Sequence, residues 1–163
     1  INRVLDVQRF IAEKKGVAVG VDATGHARVV ADIEMLELVV RNLVSNAIKF
    51  TGQGGMVTVG VTENLKHDEC TIFVRDNGVG MTDEDVKEIF NGQIQSTYGT
   101  ESEKGIGLGL FLCRELVQRL SGRINVESTL GVGSTFFLTL PIACGSASDR
   151  LETAAVTNSG AYA

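Results

Sequence analysis

The order of elements along the chain predicts an α/β fold, a two-layer sandwich in which a mixed β-sheet carries its helices on one face. Two patterns in the 163 residues point to it: apolar positions at helical spacing in three separate segments, and apolar–polar alternation at a period of two in the segments between them. Glycine-rich breaks separate these segments, and the 19 glycines are well above ordinary usage.

Taken in order, residues 2–15 place Val4, Val7, Ile11 and Ala12 at three-and-four spacing, a helix ended by Gly16. Residues 17–21 and 27–31 read as two short strands joined by a turn, a small hairpin. Asp32 is an expected N-cap for a helix whose stripe is Leu36, Val40, Leu43, Ala47 and Phe50, with residues 52–55 as its end. Val57, Val59 and Val61 alternate with polar neighbours, residues 70–75 repeat the alternation, and a polar link makes them a hairpin of central strands. Residues 76–80 form a turn, and Thr82 caps a short acidic helix with Asp85 in the capping-box position. Residues 91–104 show no period and read as a mobile polar loop. A helix over 108–120, broken at Gly122, leads to strands at 124–127 and 134–140, closed by the only proline, Pro141. Residues 142–163, rich in small and polar residues, read as a flexible tail beside a single domain over 1–141.

Composition narrows the function. Fifteen basic against twenty acidic residues give a net charge of −5 with no basic cluster, which argues against a nucleic-acid partner. Apolar runs are far shorter than the roughly 20 residues a bilayer needs, so no membrane contact is expected of this domain. Cys70, Cys113 and Cys144 lack metal or disulfide spacing and suit reduced thiols in the cytoplasm.

Four segments carry chemistry. Asn42, Asn46 and Lys49 share one helical stripe. Such a stripe is commonly only a solvated face, yet asparagine is a poor interior helix former, so two in one stripe ask for a reason. Neutral amide oxygens suit a magnesium ion already held by phosphates, and Lys49 would meet those phosphates as a point charge. Asp76-Asn77-Gly78-Val79-Gly80 ends an apolar strand; it could be a plain turn, or its carboxylate could accept a hydrogen bond from an exocyclic amine while the glycines admit a flat ring. Gly105-Ile106-Gly107-Leu108-Gly109-Leu110 opens a helix with bare backbone N–H groups suited to phosphate. It lacks the third glycine and the preceding strand that a dinucleotide-binding turn requires. Gly131-Val132-Gly133-Ser134-Thr135-Phe136 could be only a hairpin turn.

Together, Asn42-Leu43-x-x-Asn46-Ala47-x-Lys49-Phe50-Thr51, Asp76-x-Gly78-x-Gly80, Lys104-Gly105-x-Gly107-Leu108-Gly109-Leu110 and Gly131-x-Gly133-Ser134-x-Phe136 resemble the N, G1, G2 and G3 boxes of sensor histidine kinases. The resemblance covers residues 1–141 and implies the ATP-binding catalytic domain of the Bergerat fold shared with Hsp90, gyrase and MutL. It implies that Asn46 and Asn42 hold Mg2+, Lys49 touches phosphate, and Phe50 lies near the base. Asp76 would take the adenine amine, Gly78 and Gly80 would shape the pocket, Lys104, Gly105, Gly107, Leu108, Gly109 and Leu110 would support the phosphates, and Thr135 would assist Asp76. Residues 91–104 would be the ATP lid, although Ile89-Phe90 is followed by Asn91-Gly92-Gln93 without the family's second phenylalanine.

The resemblance also implies two partners, a dimerisation domain carrying the acceptor histidine and a downstream response regulator. His67-Asp68 superficially fits an acceptor pattern but falls in a hairpin link, and His26 has no acidic neighbour, so both read as surface histidines. Two rival functions share the fold: a hydrolytic ATPase and a degenerate module that senses nucleotide without turnover. The hydrolytic relatives place a glutamate where this chain has Asn42, and an amide cannot serve as a general base.

Overall fold

The structure, a computed structural model, describes residues 2–23, 28–90, 99–100 and 108–142. Strands β1 (Ala18–Ala23), β2 (Met56–Asn64), β3 (Glu69–Asp76), β4 (Arg123–Thr129) and β5 (Gly133–Pro141) form one sheet in the order β1-β2-β3-β5-β4. β1 and β2 are parallel and the other three pairs antiparallel, a mixed sheet as expected. The helices are α1 (Asn2–Lys15), α2 (Ile33–Phe50), α3 (Asp83–Glu88) and α4 (Gly109–Arg119).

Helix α2 is the centre of the helical layer. Asp32 caps it, its side chain accepting from the backbone N–H of Glu34 at 2.9 Å and of Met35 at 3.0 Å. Three valines and two asparagines make α2 an indifferent helix by propensity, at up to about 0.7 kcal/mol each. Burial of Val39, Val40, Leu43, Val44, Ala47 and Ile48 outweighs that, at roughly 1.5–3 kcal/mol for each of the larger side chains. They pack with Val57 and Val59 of β2, Ile72 and Val74 of β3, and Phe136, Leu138 and Leu140 of β5 in one core that also takes in residues of α1 and α4.

Among the described residues, no helix of this core lies on the other sheet face. There Phe73 lies over Gly60, where a Cβ would collide with the ring. The Arg75 guanidinium sits 5.5 Å from the centre of the same ring, and the Thr71 and Thr139 hydroxyls pair at 3.0 Å.

Three expectations change. The hairpin of 17–21 with 27–31 does not form: β1 pairs in parallel with β2, and Val29 makes a single antiparallel bridge to Ile142. A strand, a helix and a returning parallel strand bury α2 against the sheet, which a local hairpin would not do. The buried face of α1 is Val4, Leu5, Gln8, Ala12 and Lys15, whereas Val7 and Ile11 are 64% and 49% exposed. Helix α4 stops at Arg119, where Ser121 already turns into the left-handed region at φ 56°. Gly122 is needed instead for its close approach to the Thr139 carbonyl, 2.6 Å from where a Cβ would stand. The capping box of Thr82 and Asp85 is present as expected. Residues 91–98 and 101–104 of the expected lid, and the tail beyond 142, lie outside the described residues.

Gly60 and Gly20 offer a matched test of the helix-free face, because a Cβ at Gly20 would meet nothing within 4 Å. Gly60→Ala should destabilise the domain by about 1–3 kcal/mol through displacement of Phe73, while Gly20→Ala should stay within about 0.5 kcal/mol of the parent. Urea unfolding of the two variants measures the difference.

Candidate functional site

The last turn of an α-helix leaves its carbonyls without intrahelical donors, and in α2 these carbonyls gather the site. The Ala47 carbonyl accepts from the Thr51 hydroxyl at 2.7 Å. Lys15 Nζ, from α1, donates to the Ile48 carbonyl at 3.0 Å and the Lys49 carbonyl at 2.7 Å. The backbone N–H and hydroxyl of Thr100 also donate to the Lys49 carbonyl, at 3.1 and 3.2 Å, and the hydroxyl reaches the Thr51 carbonyl at 3.1 Å. The Phe50 carbonyl accepts from the Val79 N–H at 3.1 Å. The loop after β3 is thereby tied to the end of α2.

That loop begins at Asp76, which is 7% exposed at the end of β3. Its Oδ1 accepts from the backbone N–H of Gly78 at 2.9 Å and of Ser134 at 3.2 Å. Its Oδ2 accepts from none of the described residues and is left to meet a donor from outside. Burial raises the Asp76 pKa above the ordinary 3.8, and the two backbone N–H groups oppose that rise.

The glycines here have a steric reason. A Cβ at Gly78 would strike the Phe50 carbonyl, and Gly80 combines φ +65° with close contact to the Thr129 backbone. Asn77 braces the other side, its side chain accepting from the Met56 N–H at 2.7 Å. The fourth motif closes the loop from above: Gly131 N–H donates to the Val79 carbonyl at 2.7 Å, and Gly133 packs on the Asp76 carbonyl.

Asn46 Nδ2 donates to Asn42 Oδ1 at 3.2 Å, both side chains being half-buried. Asn42 in turn abuts the start of α4, for a Cβ at Gly109 would stand 2.5 Å from Asn42 Nδ2 and 2.8 Å from Oδ1. Lys49 Nζ lies 4.7 Å from the centre of the Phe50 ring, and Phe90 meets Phe136 edge to face at 6.4 Å. An open groove of about 360 Å³ between α1 and α2 is lined by Asn42 with Gln8, Leu38, Arg41 and Ser45.

The described parts of the four sequence motifs therefore meet in space: the first touches the second through Phe50 and the third through Asn42 at Gly109, and the second touches the fourth through Asp76. Lys104, Gly105 and Gly107 lie outside the described residues; Leu108 is 56% exposed and Leu110 is half-buried against the core. The expectation for Thr135 is corrected. Thr135 pairs with Arg75 and Ser134 with Asp76, so strand alternation puts the Thr135 side chain on the opposite face; the carboxylate is met by the backbone N–H of Ser134, whose hydroxyl lies 2.9 Å from that of Ser128.

Sequence reasoning missed Lys15 and Thr100, and it named Asn77 and Ser134 within motifs without giving either a role. The one available signal was Lys15 falling in phase with Leu5, Gln8 and Ala12, a lysine on a buried stripe. His67 is exposed between β2 and β3, and His26 lies outside the described residues.

These groups fit a nucleotide. The spare carboxylate oxygen suits an exocyclic amine, and the glycine contacts with backbone allow a ring to lie close. Among the described residues no group of three His, Cys, Asp or Glu is placed to hold a metal, so a cation here would rest on the neutral amides of Asn42 and Asn46 and on ligand phosphates.

The chain matches the family described as histidine kinase-, DNA gyrase B- and HSP90-like ATPases over residues 31–143. It is 39% identical over 141 residues to the histidine protein kinase DivJ of Caulobacter vibrioides, covering 86% of this chain and 23% of DivJ. It is 33% identical over 139 residues to the sensor protein EvgS of Escherichia coli K12, covering 81% of this chain and 11% of EvgS. The catalytic domain of histidine kinase ThkA superposes with a TM-score of 0.74 at 25% identity, covering 86% of this chain and 90% of that one. Full-length ShkA in complex with AMPPNP gives 0.75 at 25% identity, over 90% of this chain and 30% of ShkA. The chain thus spans about a quarter or less of the length of the two kinases matched by sequence. Matched over residues 31–143, the chain belongs to the histidine kinase-, DNA gyrase B- and HSP90-like ATPase family.

Proposed function

We propose that this chain binds Mg·ATP between α2, the loop after β3 and the start of α4, and passes the γ-phosphoryl group to a histidine on a separate dimerisation domain. A response regulator would take the group from that histidine. The observation that carries the reading is Asp76, a buried carboxylate with one oxygen held by two backbone N–H groups and the other left for the adenine amine. Phe50 borders the base, Lys49 neutralises phosphate charge, and Asn46 with Asn42 would hold Mg2+, which supplies charge stabilisation at the phosphates when bound.

Transfer breaks the bond from the γ-phosphorus to the bridging oxygen, forms a phosphorus–nitrogen bond on the imidazole, and releases ADP. A neutral imidazole nitrogen needs no general base to attack, so positioning and charge stabilisation suffice. Hydrolysis would need a base to orient water, and α2 has no Asp or Glu from Leu38 to Phe50. A cytoplasmic setting fits the ATP requirement and the free thiols of Cys70 and Cys113.

Asp76→Asn tests the reading directly. The amide oxygen can keep the Gly78 and Ser134 donors, leaving an NH2 at the open position facing the adenine amine. ATP affinity should fall about 10- to 150-fold with the fold intact, and unchanged affinity by calorimetry refutes the assignment. Because burial raises the Asp76 pKa, the folded state holds this proton more tightly than the unfolded chain. The parent should therefore lose stability as pH rises through the window from about 3.8 to the raised value, and Asp76→Asn should lack that loss.

Asn46→Ala should weaken Mg·ATP binding while affecting metal-free ATP much less; equal losses in titrations with and without magnesium would mean a disturbed helix instead. With radiolabelled ATP, the chain alone should release phosphate very slowly and carry no label on His67, and an added dimerisation domain should become labelled. Rapid phosphate release would favour the hydrolase.

A further inference from the structure

Lys15 is only 7% exposed, and its ammonium donates to the carbonyls of Ile48 and Lys49, at 3.0 and 2.7 Å. Burying a lysine is costly unless its charge is met. The C-terminal end of α2, with its partial negative charge and unpaired carbonyls, meets it. Any apolar side chain of similar length would fill the volume more cheaply, so the charge has a use other than packing. Its partners indicate that use. Lys49 and Phe50 extend from the same turn, and the Lys49 carbonyl also accepts both the N–H and the hydroxyl of Thr100.

We propose that Lys15 is a positioning residue for nucleotide binding: from α1 it fixes the final turn of α2, and through the shared Lys49 carbonyl it sets both the Lys49–Phe50 pair and the attachment of Thr100. The proposal rests on the nucleotide reading of that turn. Because α1 carries no residue of the four motifs, it makes the seating of α1 against α2 a determinant of ATP affinity.

The test is calorimetric Mg·ATP titration, with hydrogen exchange of the Thr100 amide, on the unmodified chain, Lys15→Met, Thr100→Val and the double variant. Lys15→Met should stay folded, raise the Kd about tenfold and speed exchange at Thr100. The double variant should lose less affinity than the product of the single losses, since both act through one carbonyl. A folded Lys15→Met with Kd within about twofold of the parent and unchanged Thr100 exchange overturns the proposal, as do losses that simply multiply. If Lys15→Met does not fold, Lys15→Arg keeps the charge but replaces a point donor with a planar fork. Reduced affinity with faster Thr100 exchange then supports the proposal, and parental values of both overturn it. Should the unmodified chain bind no ATP, the nucleotide reading fails, while Thr100 exchange in Lys15→Met still decides whether Lys15 holds the turn.

Discussion

The carbonyls that an α-helix leaves unpaired at its C-terminus organise this molecule. In α2 they are met by an ammonium from α1, by Thr100, and by the N–H of Val79 in the loop after β3. Water would satisfy the same groups without fixing anything. Because protein donors from three separate stretches satisfy them instead, segments distant in sequence are held at one point. Lys49 and Phe50 project there, and Gly78 can approach Phe50 only because it has no side chain.

A second constraint operates at Asp76. A carboxylate at the end of a buried strand is tolerated because two backbone N–H groups converge on one of its oxygens. One of these comes from the loop it precedes and the other from the neighbouring strand β5, so the carboxylate also pins the β3–β5 register at its edge. A structural turn could end on a neutral residue without the cost of burying a charge.

The two faces of the sheet are handled differently. One is covered by a continuous apolar layer from α1, α2 and α4. The other is finished by local devices: a ring over a glycine, a guanidinium over that ring, a pair of hydroxyls, and the Arg123–Glu69 ion pair. The second face owes its order to cross-strand pairs, which is why Gly60 is there a packing requirement.

Much of this was legible in the residues. Asp32 as a cap, the stripe of α2, the β2–β3 and β4–β5 hairpins and the Thr82–Asp85 capping box follow from local rules: a side chain bonding its own backbone, or an apolar period of 3.6 or 2. The four motifs were legible as an ordered set that resembles one family, although each run alone could also be a solvated face or a plain turn. Tertiary structure decided what two distant segments settle between themselves. β1 chose β2 over its sequence neighbour because a parallel partner across α2 buries more than a hairpin does. The buried face of α1 includes Gln8 and Lys15, which no hydrophobic period selects, because the end of another helix supplies the charge complement. The register of β5 on β3 brings the backbone N–H of Ser134 to Asp76 and turns the Thr135 side chain to the other face, and a register is a property of two strands together.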